Sequence, residues 1–426
     1  MSLYLKNIDI CISIIDMERS TALKSLKNHL NKPQHTIIIG PRQIGKTTLV
    51  KQLAEQLQMD NELVYFLTFE DPVILEAVNH HPENIFNYTL LPADLPADKR
   101  LYVIIDEVQY AKDPSNFLKL LYDKYSPKLK IIATGSSAFY IDKSFKDSLA
   151  GRKKVFEFFP LAFDEFLHFK GEDDLIAEWE QMKKRVTYQG LQLKRINALF
   201  DEYLVYGGYP AVVLADTEQE KQEMLKELVN SYMKKDALEA GIKEELKFFQ
   251  LARLLADQTG NLVNNHELGN TLQMASSTVE NYIYLMQKTF IVQLLSPFYG
   301  NVRKELTKMP KIYFNDNGLR NVLLNNFTKL NDRADKGELL ENYVYCRLRQ
   351  LHDSDSLHFW RTADGNEVDF VVEEQLKQGL AYEVKYHDVQ FKPNKYKKFV
   401  EAYPDFNLEC VCKLITRDDS IEAIRL

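Results

Sequence analysis

Between residues 30 and 170 short apolar runs alternate with stretches of helical period. The runs cover 36–40, 64–70, 101–106, 130–134 and 155–159. The stretch between the first two, Thr48 to Leu57, repeats apolar residues at helical spacing. Alternation of this kind predicts a doubly wound α/β domain with a parallel sheet, because each strand needs a crossover before the next can lie parallel to it. Ahead of it, 17–30 reads as a helix and 8–15 as a lead-in strand.

From about 171 the period becomes helical throughout. Amphipathic stretches at 221–240 and 243–258 dominate, and Gly207-Gly208-Tyr209-Pro210 marks a sharp turn. The segments 266–274 and 276–288 read as a helix-turn-helix, with Ser276 as N-cap of the second helix. Strand-like runs at 291–295 and 311–315 complete a winged-helix pattern. After a charged linker at 331–337 comes a helix at 338–351, with Leu339, Leu340, Tyr343, Val344 and Leu348 on its apolar face. Strands at 357–361, 367–372 and 381–385 follow. The pattern divides the chain into 1–170, 171–330 and 331–426.

Chemistry enters at the end of the first strand. Residues 40–47 read Gly-Pro-Arg-Gln-Ile-Gly-Lys-Thr, a complete phosphate-loop pattern between a strand and a helix. Backbone N–H groups of Gly40, Pro41's successors Arg42, Gln43 and Ile44, and Gly45 would wrap a phosphate, and the helix running on through Thr48 would add its positive end. Lys46 is expected on the β- and γ-phosphates of ATP, and the Thr47 hydroxyl on Mg2+.

The third run ends in Asp106-Glu107. Ligands gather at the carboxyl ends of parallel strands, so Asp106 is expected beside Mg2+ and Glu107 as the residue that orients the attacking water. The fourth run leads into Thr134-Gly135-Ser136-Ser137, where Ser136 could bond the γ-phosphate or the water. Arg152 is a candidate γ-phosphate sensor, or a finger offered to a neighbouring subunit. One strand lies in sequence between the phosphate loop and the carboxylate pair. An inserted strand is therefore expected between the two motifs in space, the additional-strand arrangement of ATPases with a catalytic Glu.

In the last segment Glu383 and Lys385 are two apart on a strand and share a face, with Asp369 within reach on the neighbouring strand and Glu341 on the helix. Asp369, Glu383 and Glu341 are candidate metal ligands, and Lys385 a candidate to stabilise charge on a phosphodiester.

Bulk properties narrow the partners. The chain has 426 residues, 45% of them hydrophobic, and a net charge of −7. General nucleic-acid binding by bulk charge is excluded, and DNA contact would need a local basic face. Arg303, Lys304, Lys308 and Lys311 of the wing could provide one, whereas Ser276, Ser277, Glu280 and Asn281 give the second helix a nearly neutral face. The overall acidity leans toward a protein partner. Four scattered cysteines point to a reducing cytoplasm without a disulfide framework. No apolar run has membrane length.

Taken together, these blocks resemble the prokaryotic AAA-type ATPases whose C-terminal part is a domain of unknown function related to restriction endonucleases. The marks are the phosphate loop, Asp106-Glu107-Val108-Gln109, Thr134-Gly135-Ser136-Ser137, Leu149-Ala150-Gly151-Arg152, Gly207-Gly208-Tyr209-Pro210, Asp316-Asn317-Gly318-Leu319, Trp360-Arg361-Thr362, Glu367-Val368-Asp369-Phe370 and Glu383-Val384-Lys385. The resemblance implies an ATPase core, a winged-helix middle and an endonuclease-like α/β end in which Glu341, Asp369, Glu383 and Lys385 cluster. It does not imply cleavage, since function does not follow from fold. Three activities fit: an ATP-driven switch, an ATP-gated metal-dependent nuclease, and an ATP-dependent adaptor for DNA or protein. The pattern leaves the oligomeric state open.

Overall fold

The structure, a computed structural model, describes residues 19–96, 98–136, 149–183, 190–239, 241–299, 305, 308–414 and 420–426. The lead-in strand, Cys11, Arg303 and Lys304 lie outside these residues. The chain forms two compact units, Met1–Phe159 and Pro160–Leu426.

In the first unit five parallel strands form one sheet: β1 (His35–Ile39), β2 (Leu63–Thr68), β3 (Leu101–Asp106), β4 (Leu129–Gly135) and β5 (Lys153–Glu157). Their spatial order is β2-β3-β4-β1-β5. The expected insertion is present, and the inserted strand is β4, paired with β1 on one side and β3 on the other. Every residue of β3 and β4 is buried, which explains their unbroken apolar runs, since a central parallel strand is covered on both faces. The covering helices begin where the sequence caps them. Asp71 accepts from the N–H groups of Val73 and Ile74 at the start of Pro72–His80, and Asp113 from that of Asn116 at the start of Pro114–Tyr125. Both place proline in the first turn, where its missing N–H costs nothing.

The second unit joins what the pattern divides near 330, and it starts before residue 170. Leu161 bonds the Gly208 carbonyl through its N–H at 2.8 Å, and Tyr203 Oη donates to the Leu161 carbonyl at 2.7 Å. These bonds tie the residues after β5 to the helical region. Its helices include Leu193–Tyr206, Glu218–Glu239, Glu245–Asp257, Asn265–Leu272 and Ser276–Lys288. Ser276 is the first helical residue; Ala275 holds the N-cap position and gives no side-chain bond. An antiparallel hairpin follows, β6 (Val292–Leu295) and β7 (Lys311–Phe314).

The helix Lys336–Leu351 then packs on this hairpin. Asn342 accepts from the Phe314 N–H at 2.7 Å and donates to the Phe314 carbonyl at 3.1 Å. The final sheet contains β8 (Leu357–Arg361), β9 (Glu367–Gln375), β10 (Gln378–His387), β11 (Phe406–Leu414) and β12 (Ser420–Glu422). Strands β8, β9 and β10 are antiparallel neighbours, and β10, β11 and β12 are parallel. Among the described residues no helix is long and apolar enough to cross a membrane.

Candidate functional site

Strands β1, β3 and β4 end side by side, so the phosphate loop, Asp106-Glu107 and Thr134–Ser136 meet at one edge of the first sheet. Gly40 is required by close approach. A Cβ there would stand 2.3 Å from the Phe158 carbonyl oxygen and 2.9 Å from Ile44 Cδ1. Gly45 is required by conformation, with φ at 90°, as it turns the chain into the helix Lys46–Met59. Lys46 is buried, and its ammonium group donates to the carbonyls of Gly40 at 2.9 Å and Pro41 at 2.5 Å. A buried cation is thus held inside the turn by the loop that precedes it.

Thr47 Oγ1 donates to Asp106 Oδ2 at 2.9 Å. The other carboxylate oxygen, Oδ1, accepts from Thr134 Oγ1, and Thr134 Oγ1 in turn accepts from the Glu107 N–H at 3.1 Å. Glu107 sits in the left-handed region, φ 58°, an uncommon conformation for a residue with a Cβ and one that clusters at functional sites. It leads into the tight turn Val108–Tyr110, which folds Gln109 back on Glu107. The Glu107 Oε2 atom accepts from the Gln109 amide and, at 3.0 Å, from Ser136 Oγ; Gln109 Nε2 also donates to Ser136 Oγ at 3.1 Å. Ser136 therefore holds Glu107, where the sequence placed it on phosphate or water.

Two residues escaped the sequence reading. Gln109 was visible in the Asp-Glu-Val-Gln run but had no role until the turn returned it to Glu107. Arg19 precedes every recognised motif. Buried, it donates to the carbonyls of Phe159 at 2.8 Å and Ile44 at 3.4 Å, and its guanidinium stacks 3.9 Å over the Phe158 ring. It braces the loop from behind, and no local signal marks it.

Arg152 lies away from the phosphate loop of its own chain. Its carbonyl accepts from the N–H of His35, the first residue of β1, at 2.8 Å, while the phosphate loop follows the last residue of β1. The strand puts about 16 Å between them. Arg152 pairs instead with Asp123 at 2.6 Å. The reason is topological: a residue preceding a parallel strand lies at the amino end of the sheet, and the ligand edge is the carboxyl end. The structure does not place Arg152 at the phosphate loop of its own chain.

In the second unit Asp369, Glu383 and Lys385 do converge. Asp369 Oδ2 accepts from the Val384 N–H at 2.9 Å, Lys385 Nζ bonds Glu383 Oε1, and it lies 3.9 Å from Asp369. Glu341 joins the cluster through a cation that the pattern assigned to a solvent-facing wing. Lys311, only 3% exposed, places Nζ 2.6 Å from Glu367, 3.3 Å from Glu341 and 3.5 Å from Asp369. Tyr313, two residues on and on the same face, donates to Glu341 Oε1 at 2.6 Å. Burial, reinforced by Asp369, pushes both Glu341 and Glu383 up to about 7. Burial works against the charge of Lys311, but Glu341, Asp369 and Glu367 outweigh it and raise its pKa above the ordinary lysine range. Among the described residues no group of three or more His, Cys, Asp or Glu side chains is arranged to hold a metal ion.

Comparison with known proteins finds similarity along most of the chain. Residues 32–167 match the family model described as an AAA domain. In that segment the chain is similar to AAA domains. Residues 197–330 and 336–424 match two further models, both described as domains of unknown function. An uncharacterized protein of Haemophilus influenzae is 27% identical over 360 residues, 82% of each chain. One from Methanocaldococcus jannaschii is 25% identical over 424 residues, 97% of this chain and 88% of the relative. Among solved structures, a replication initiator DnaA bound to AMPPCP and single-stranded DNA overlaps 63% of this chain and 87% of its own, with TM-score 0.29 and 16% identity. At that score the DNA and nucleotide of that complex remain facts about DnaA.

Proposed function

We propose that this chain is a Mg2+-dependent ATPase whose nucleotide state switches its second unit between binding conformations. The observation that carries the proposal is the pair of bonded constellations at one sheet edge, Lys46 on the phosphate loop and Thr47–Asp106–Thr134 beside Glu107–Ser136–Gln109.

The donor set fits ATP with Mg2+. The loop supplies backbone N–H groups and a buried ammonium, which match phosphate oxygens, and Thr47 with Asp106 supplies hard oxygen ligands. Thr47 and Asp106 would hold the ion, which supplies neutralisation of the β,γ-phosphate charge when bound. Lys46 exchanges its bonds to the Gly40 and Pro41 carbonyls for phosphate oxygens. Glu107 accepts a hydrogen bond from the attacking water and orients it in line with the γ-phosphate. Ser136 and Gln109 fix the carboxylate that does so.

The second unit is read as a protein-binding module built on a winged helix. Of the four basic wing residues, Lys311 is buried in the acidic cluster and so is withdrawn from any surface that could meet DNA. An endonuclease-like sheet that does not cleave fits this reading.

The test is ATP turnover with Mg2+ by the purified protein. Lys46→Ala should abolish it, and Glu107→Gln should retain ATP binding while losing hydrolysis by about 10²–10⁴-fold. Unchanged turnover in Lys46→Ala would remove the reading.

A further inference from the structure

We infer that Lys311 takes the place of a divalent cation in the acidic cluster of the second unit, so that this endonuclease-like sheet keeps its carboxylates together without metal and does not cleave phosphodiesters by metal assistance.

Lys311 opens β7, where it pairs with Leu295 of β6 and bridges Leu262 on its other side. The Ile312 N–H donates to the Asn261 carbonyl at 3.1 Å, and the Val263 N–H to the Pro310 carbonyl at 2.8 Å. A residue held from both sides has no freedom to withdraw its side chain by shifting register. The ammonium is delivered to one point by strand pairing.

That point is the meeting place of three carboxylates. Glu341 comes from a helix, Glu367 and Asp369 from β9, and Lys311 Nζ contacts all three at 2.6 to 3.5 Å. A divalent ion needs oxygens at about 2.0–2.6 Å around a shared centre, and the centre is where the ammonium stands. Two cations that close, out of water, repel strongly.

Other groups also compete for these oxygens. Asp369 Oδ2 serves the Val384 N–H, Glu341 Oε1 serves Tyr313, Glu367 Oε2 lies 3.2 Å from Arg361, and Glu383 Oε1 holds Lys385. The Tyr396 hydroxyl interacts with the Glu383 carboxylate as well. Gly260 packs close against Glu341, where an added Cβ would sit 3.1 Å from Oε1. The cluster functions as an internal ion pair network that fastens the β6–β7 hairpin to the final sheet. A buried charge of this kind is costly to unpair, which makes the attachment specific.

The experiment uses the full chain carrying Thr47→Ala, so that the phosphate loop contributes no metal, and titrates Mn2+ alone, read by electron paramagnetic resonance and by the melting temperature. This parent should bind no Mn2+ at the acidic cluster. Adding Lys311→Met should create a site that binds Mn2+ tighter by about tenfold or more, and adding Asp369→Asn should remove it again. Mn2+ binding by the parent that Asp369→Asn abolishes would overturn the inference. So would a folded Lys311→Met protein that gains no Mn2+. Should Lys311→Met fail to fold, the parent titration decides alone. Plasmid cleavage by the otherwise unsubstituted chain with Mg2+ or Mn2+, lost in Glu383→Ala, is equally fatal. None of these outcomes depends on ATP turnover.

Discussion

Ser136 Oγ donates to Glu107 Oε2 at 3.0 Å, bridging the carboxyl ends of β4 and β3. This bond exists because β4 is the strand inserted between the phosphate loop and the acids, so its terminal hydroxyls reach the residues at the end of β3. With Gln109 on the same oxygen, the Glu107 carboxylate is held from two sides.

Removing either support should loosen the carboxylate without touching the phosphate loop. Ser136→Ala and Gln109→Ala are each expected to lower kcat for ATP by about 10–10²-fold with little change in KM. Steady-state kinetics checks this. A raised KM at constant kcat would make them nucleotide-binding residues instead.

The two loop glycines should fail differently. Gly40→Ala pushes a Cβ to 2.3 Å from backbone oxygen, which only movement of the chain relieves, so nucleotide binding should be lost and the melting temperature should fall. At Gly45 nothing lies within 4 Å of an added Cβ, and the cost is the left-handed conformation alone, about 1–2 kcal/mol. Calorimetric titration of an ATP analogue into both variants distinguishes them. Equal losses would mean that the contact with Phe158 does not matter.

Arg152 gives a negative control with a physical reason. It stands at the amino end of β1 and pairs with Asp123. Arg152→Ala is expected to keep ATP turnover within about threefold, where loss of a true finger costs about 10³-fold or more. A drop of that larger size, measured across a range of protein concentrations, would show that it serves another copy of the chain.

Asp316 predicts a pH dependence. Burial pushes its pKa up to about 6, against the backbone N–H groups of Gly208, Leu319 and Gly318, which favour the charged form. The folded state therefore holds the proton more tightly than the unfolded chain does. Stability contributed by this group is full below the unfolded value near 3.8 and is lost as pH rises through about 6. The stability difference between the wild type and Asp316→Asn should shift against the wild type between about pH 4 and pH 7. The variant itself is expected to be weaker by about 1–3 kcal/mol, because its amide presents donors toward the Gly208 or Leu319 N–H. Urea unfolding at both pH values measures this, and a difference independent of pH would contradict it.

The phosphate loop, Asp106 and Glu107 were legible because local order carries their meaning: a strand, a turn that needs glycine and a helix lie consecutively, and an apolar run that ends in acid announces a sheet edge. Asp369, Glu383 and Lys385 were legible for a similar reason, since alternation along a strand fixes which side chains share a face. Ser136 was found as a candidate, but its bond to Glu107 was not legible, because that contact depends on which strand lies beside which.

The amino-acid order by itself determined the strand–loop–helix unit of the phosphate loop and the strand face that gathers Asp369, Glu383 and Lys385, because both follow from periodicities of a few residues. Only the tertiary structure decided that Arg19 supports the loop from behind, that Gln109 and Ser136 hold Glu107, that Arg152 faces away, and that Lys311 enters the acidic cluster. Each of those is a contact between segments distant in sequence or folded back by a turn. Lys311 shows the reason most directly: on paper it belongs to a basic stretch and should seek water, but strand pairing on both sides of it leaves its charge facing Glu341, Glu367 and Asp369.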